Sequence, residues 1–136
     1  MNNPIFRAFY ALIIATFAFT SCANNNNTKG TGSETHSFQS VSVEEFAKCI
    51  TDTVNIVLVD VRTAEEFSAD HIEGATNIDV KRDDFEAISN AQLPKDKTIA
   101  VYCRSGRRSK TASEILVTNG FKVVELNSGY NGWVNK

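Results

Sequence analysis

Residues 98–121 read TIAVYCRSGRRSKTASEILVTNGF, and three kinds of local structure follow one another inside them. TIAVYC is a continuous apolar run, the pattern of a strand covered on both faces. CRSGRRS gathers a thiol, three arginines, two serines and a glycine. RRSKTASEILVTNG reads as a helix that stops at Gly120, the residue type that commonly follows a helix C-terminus. The passage therefore places a cysteine, Cys103, at the carboxyl end of a buried strand and at the start of a loop that leads straight into a helix.

The same alternation extends outward. SVSVEEFAKCI (40–50) predicts a helix with Ser42 as N-cap and Glu44 and Glu45 in its first turn. NIVLVDV (55–61) is a second buried strand, with Asp60 and Arg62 at its carboxyl end. TAEEFSADHI (63–72) predicts a helix in which Thr63 and Glu66 have capping-box spacing. GATNIDV (74–80) reads as a short strand and DDFEAISNAQL (83–93) as a helix closed by the polar turn PKDK. FKVVEL (121–126) is another sheet strand, and SGYNGWVNK (128–136) a loop with about one helical turn. Strands alternating with helices predict an α/β fold, a mostly parallel sheet with helices on both faces. Ligands of such sheets sit at the carboxyl ends of the strands, where Cys103, Asp60 and Arg62 fall.

The chain has 136 residues, enough for one domain, and 42% hydrophobic residues suit a globular core. A net charge of −2 gives no sign of a nucleic-acid face. The N-terminus is of another kind. MNNPIFRAFYALIIATFAFTSC (1–22) has one cation, Arg7, and then an apolar run from Ala8 to Phe19, too short for the roughly 20 residues of a membrane span. Thr20 and Ser21 then precede Cys22. The pattern resembles the lipobox of bacterial lipoproteins, with Phe19 where leucine is commonest, and that resemblance implies lipidation of Cys22. A plainly cleaved signal is the alternative. Residues 23–37 have almost no apolar side chains to offset chain entropy and read as a flexible tether. The expected product is an exported protein held at a bacterial membrane by lipid and facing the periplasm, with the folded domain over 38–136.

Of the three cysteines, Cys49 falls on the apolar side of its predicted helix beside Phe46 and Ile50 and reads as a buried hydrophobe. A Cys49–Cys103 disulfide, or a redox pair of the two, is the alternative in an exported protein. Two cysteines and two scattered histidines offer no metal-ligand spacing, and no cofactor is expected.

A thiol attacks as its thiolate. Backbone amides at a helix start, together with Arg104, Arg107 and Arg108, favour that anion. Gly106 lets successive amides turn inward, and Ser105 and Ser109 are candidate donors to a bound anion. The loop thus reads as an anion cradle around a nucleophile, suited to phosphoryl or sulfane-sulfur transfer. Cysteine-based phosphatases carry an arginine six positions after the cysteine. That position is Ser109, and the loop is one residue shorter, so sulfur transfer is favoured.

Three motifs in order over residues 38–136 then resemble the rhodanese family: VLVDVRTAEEFSADHIEGATNI, CRSGRRS and LNSGYNGW. Asp70 and Ser128 stand where that family often has glycine. The resemblance implies a single rhodanese-like domain and a sulfurtransferase. In such an enzyme the Cys103 thiolate takes the outer sulfur of thiosulfate or a similar donor, releases sulfite, and passes the persulfide sulfur to cyanide, a thiol or an acceptor protein. The amides of Arg104–Arg108 form the cradle. The side chains of Arg104 and Arg107 are expected to face the anion and Arg108 to point outward. Asp60 and Arg62 are expected to brace the loop, capping the strand end and pairing with Glu66 or Glu65. His71 is expected to be structural, and Tyr130 and Trp133 to be packing residues. A monomer is expected. A module that holds reactive sulfur for a partner without turnover is the alternative function.

Overall fold

The computed structural model describes residues 37–136. The expected leader with Cys22, and the expected tether except Ser37, lie outside the described residues. Five strands form one sheet: β1 (Gln39–Val41), β2 (Ile56–Asp60), β3 (Thr76–Asn77), β4 (Thr98–Tyr102) and β5 (Lys122–Leu126). Their order is β1-β5-β4-β2-β3 and every pairing is parallel. The two long apolar runs of the sequence are β2 and β4, neighbours near the middle of the sheet. β4 is buried from Ile99 onward because it has a strand on each edge and helices on each face.

Alternation along the strands sorts two apolar layers. Val59, Val61, Ile99, Val101 and Cys103 share one layer with Phe85 of α3 (Phe85–Gln92) and Ala112, Leu116 and Val117 of α4 (Arg107–Thr118). Leu58, Ala100, Tyr102, Val124 and Leu126 share the other with Phe46 of α1 (Val43–Cys49) and with Tyr130 and Trp133 of α5 (Gly129–Val134). Each fully buried aliphatic side chain in these layers contributes about 1.5–3 kcal/mol.

The helix signals hold at their ends. Ser42–Glu45 before α1, and Thr63–Glu66 before α2 (Ala64–Ala69), each form a reciprocal capping box. α4 closes with Gly120 N–H on the Val117 carbonyl and Phe121 N–H on the Leu116 carbonyl, the paired bonds of a Schellman end. The structure adds β1, which the sequence does not announce. Gln39–Val41 has no apolar run and joins the sheet by pairing its backbone with β5. The C-terminal segment is a six-residue helix, α5, more than the single turn expected.

Candidate active site

Cys103 follows β4, and its side chain falls on the α4 side of the sheet. It is a free thiol, 1% exposed, and is not bridged to Cys49. The chain from Arg104 to Gly106 curls over the sulfur, and the Gly106 N–H donates to Sγ at 3.1 Å. Burial by itself would push the Cys103 thiol up. The Ser109 side chain and the amides of Ser109, Ser105 and Gly106 outweigh it, so the thiol sits below its ordinary range.

Two glycines make the curl sterically feasible. Gly106 has φ +95°, and a Cβ there would lie 2.1 Å from the Asn127 carbonyl oxygen. Gly129 has φ +61°, and a Cβ there would lie 2.5–2.6 Å from the backbone of Arg104 and Ser105. The start of α5 can therefore press against the loop. Tyr130 N–H donates to the Cys103 carbonyl at 2.7 Å and Asn131 N–H to the Arg104 carbonyl at 3.0 Å. The third sequence motif thus holds the second in place. Asp70 is extended at φ −171° and Ser128 has φ −95°, so neither position requires glycine here.

The arginines divide. Arg104 and Arg107 are exposed at the rim and make no ion pair among the described residues. Arg108, expected to point outward, instead folds back to Glu66. Its Nη1 and Nη2 donate to the two carboxylate oxygens at 2.6 and 2.8 Å. That contact holds the Glu66 carboxyl down at about 2 and keeps the guanidinium where the Cys103 thiolate also favours its charge. Glu66 additionally accepts from the Thr63 N–H at 3.1 Å, so one carboxylate caps α2 and ties it to the first turn of α4.

Glu66 is consequently not the partner of Arg62, which corrects the pairing expected from the sequence. Arg62 grips Asp60 with Nε at 3.0 Å from both carboxylate oxygens and Nη2 at 2.6 Å. Nη2 also donates to the Asp70 carbonyl at 2.7 Å, and the guanidinium lies 4.4 Å from the Tyr130 ring centre. Asp60 is 0% and Arg62 4% exposed, so the pair is a buried brace between the end of β2 and the segment that packs on the loop. His71 stacks on Phe67 with ring centres 3.8 Å apart, and its Nδ1 lies 2.9 Å from the Phe67 carbonyl. Tyr130 and Trp133 pack on the second apolar layer.

Ser109 departs from expectation as well. It is 0% exposed, and its hydroxyl goes inward to the Glu125 carboxylate at 2.6 Å, away from any solvent anion. Glu125 was not picked out by motif. The signal was present: an acid inside the apolar run FKVVEL, two positions from Val123 and therefore on the α4 face.

The geometry meets known proteins at this point. A family model described as Rhodanese-like domain matches residues 42–136. A sulfurtransferase of Allochromatium vinosum is 31% identical over 94 residues, 68% of this chain and 85% of that protein. The thiosulfate sulfurtransferase PspE of Escherichia coli is 42% identical over 71 residues, 52% of this chain and 67% of that one. Among solved structures, a rhodanese-like domain protein from Staphylococcus aureus superposes with a TM-score of 0.62 at 27% identity, covering 71% of this chain and 91% of its own.

Proposed function

The chain belongs to the rhodanese-like domain family, whose similar members include named sulfurtransferases, and we propose that it moves sulfane sulfur from thiosulfate or a similar donor through a Cys103 persulfide. The observation that carries this is the sulfur itself, at the floor of a loop whose amides converge on it, with Gly106 N–H at 3.1 Å. Those donors favour the thiolate and then any anion in its place.

In the first half-reaction the Cys103 thiolate attacks the outer sulfur of thiosulfate. A sulfur–sulfur bond forms, the bond to the sulfonate breaks, and its electron pair leaves with sulfite. Cys103 keeps a persulfide anion, so three negative charges enter and three remain. In the second half-reaction cyanide, a thiol or a protein acceptor attacks the outer persulfide sulfur and returns the thiolate. The loop amides of Arg104–Arg108 hold the anions, with the rim cations Arg104 and Arg107 drawing the donor in. Arg108, clamped by Glu66, adds a fixed positive charge beside the sulfur. Asp60 and Arg62 act through the loop they brace. The sequence also supports export with Cys22 as a lipid attachment point. Cys22→Ser should then move the protein from the membrane fraction to the soluble fraction; retention in the membrane rejects the anchor.

The test of sulfur transfer is mass spectrometry of the reduced full chain after incubation with thiosulfate. The expected result is a gain of one sulfur atom, lost on adding cyanide and absent from Cys103→Ser. No adduct on the folded, reduced protein rejects the thiosulfate reading and leaves a sulfur-holding module.

A further inference from the structure

The start of α4 is held differently from the starts of α1 and α2. In those two helices a side chain caps the first turn, Ser42 in one and Thr63 in the other. At α4 the cap position is Gly106, which has no side chain to give, and no acidic residue stands in the first turn. Yet this is the helix start on which the sulfur depends, because the Gly106 N–H donates to Cys103 Sγ. Two side-chain contacts take the place of the cap. On the outer side Arg108 is clamped by Glu66. On the inner side Ser109, the third helical residue, donates its hydroxyl to Glu125 Oε1 at 2.6 Å. Ser109 and Glu125 are both 0% exposed.

Glu125 belongs to β5, and its own position is set from β1. Ser40 stands in register with it and donates its hydroxyl to Oε2 at 2.5 Å. Further along, the Asn127 N–H donates to the Val41 carbonyl at 3.1 Å. Gly106 rests on these same two residues. The place of its missing Cβ lies 2.1 Å from the Asn127 carbonyl oxygen and 3.5 Å from Glu125 Oε1. The carboxyl therefore lies beneath the residue whose amide reaches the sulfur. One of its oxygens is tied to the edge strand and the other to the first turn of α4. An apolar side chain like that of Val123, on the same face of β5, would hold neither.

We propose that Glu125 is a positioning residue of the sulfur site: tied to Ser40, it fixes the first turn of α4 through Ser109 and so keeps the Gly106 N–H on the Cys103 sulfur. The inference rests on the reading of Cys103 as the reacting sulfur, and it brings β1 into the support of the site. A hydrogen bond weakens steeply as its distance and angle degrade. A first turn free to shift would thus hold the thiolate less well.

The experiment is the rate of iodoacetamide labelling of Cys103 against pH on the reduced full chain, with the label located by peptide mass spectrometry. Glu125→Ala and Glu125→Gln are measured side by side. Both lack an ionisable group at position 125, so a difference between them is not an effect of charge. Gln keeps an oxygen to accept from a hydroxyl and an amide to donate to one, and Ala keeps neither. The labelling midpoint of Glu125→Ala should lie above that of Glu125→Gln by about half a pH unit or more, a roughly threefold loss of thiolate at equal pH. The charged pair on the outer side of the turn does not blur the reading, because Glu66 is held at about 2 and arginine keeps its proton. A residue that only added stability would lower the urea midpoint of Glu125→Ala and leave the two labelling midpoints equal. Equal or reversed labelling midpoints overturn the proposal.

Cys49, 4% exposed at the end of α1, reports unfolding in the same samples. Where Glu125→Ala does not fold, or its Cys49 labels as fast as Cys103, Ser40→Ala against Ser40→Thr decides. Thr keeps the hydroxyl that holds Oε2 and Ala does not, so Ala should again show the higher midpoint, and equal midpoints overturn the proposal. No sulfur donor enters the measurement. Persulfide formation with equal midpoints would leave sulfur transfer standing and reject this role of Glu125; unequal midpoints without a persulfide would do the reverse.

Discussion

β2 and β5 flank the strand that leads into Cys103, and each carries a buried carboxyl near its carboxyl end. The two are solved in opposite ways. Asp60 faces a guanidinium that contacts both its oxygens, whereas Glu125 faces two hydroxyls. Arginine does not give up its proton, so the ionic hold on Asp60 is a fixed one. Glu125 has neutral partners only among the described residues. The first arrangement is an ionic brace and the second a hydrogen-bonded one.

The comparison breaks most sharply at Arg62. Removing it leaves Asp60 buried and uncompensated, and Arg62→Ala should cost about 3–5 kcal/mol. That is a large share of the roughly 5–15 kcal/mol typical of a whole domain. Urea unfolding reads it directly. A loss below about 1 kcal/mol would mean that water reaches Asp60 and that the buried brace is not as described.

Next in size is Gly106→Ala. The new Cβ meets the Asn127 carbonyl at 2.1 Å, at a φ that non-glycine residues rarely adopt. Strain and displaced backbone together should cost about 2 kcal/mol or more. The amide would also leave the sulfur, so the labelling midpoint of Cys103 should rise toward the ordinary value of about 8.5. An unchanged midpoint would assign the lowered thiol to Ser109 and Ser105 alone.

How much of this was readable from the chain depends on the range of the interaction. β2, β4, the capping boxes and the Gly120 stop follow from local pattern, and the sequence predicted them. The turn of the loop over Cys103 was readable because its residues are consecutive, Cys103 to Ser109. β1 was not, since Gln39–Val41 is ordered by pairing with a strand more than eighty positions later. The Glu66–Arg108 clamp spans 42 positions, and spacing alone put Glu66 nearer to Arg62. Glu125 lay in plain view inside an apolar run, but Ser40, Ser109 and Gly106 converge on it only in the folded sheet.

The clamp gives the next prediction. Glu66 stands at about 2 in the folded protein against an ordinary 4.5. A lowered folded value means the contribution is complete above the ordinary value and is lost as pH falls from about 4.5 toward about 2. Both side chains are about a quarter exposed, so solvent screening holds the contribution to about 1–2 kcal/mol. Glu66→Gln should lower stability by that amount at neutral pH, and the gap to the wild type should close over that acid window. A gap independent of pH would show that the capping bond to Thr63, and not the charge, is what Glu66 supplies.

The smallest expected effect is the most discriminating. Asp60 and Glu125 are equally buried, so a view based on burial alone predicts similar costs for Asp60→Asn and Glu125→Gln. The contacts predict a wide difference. Asn at position 60 leaves the Arg62 guanidinium buried without an anion, a loss of about 3 kcal/mol or more. Gln at position 125 keeps a carbonyl to accept from a hydroxyl and an amide to donate to one. It strands no buried cation among the described residues, so its cost at neutral pH should stay below about 1 kcal/mol. Urea midpoints of the two variants, measured side by side, make the comparison. A loss at Glu125→Gln as large as that at Asp60→Asn would mean that the protein needs the ionised carboxylate for stability. Glu125 would then be a second brace.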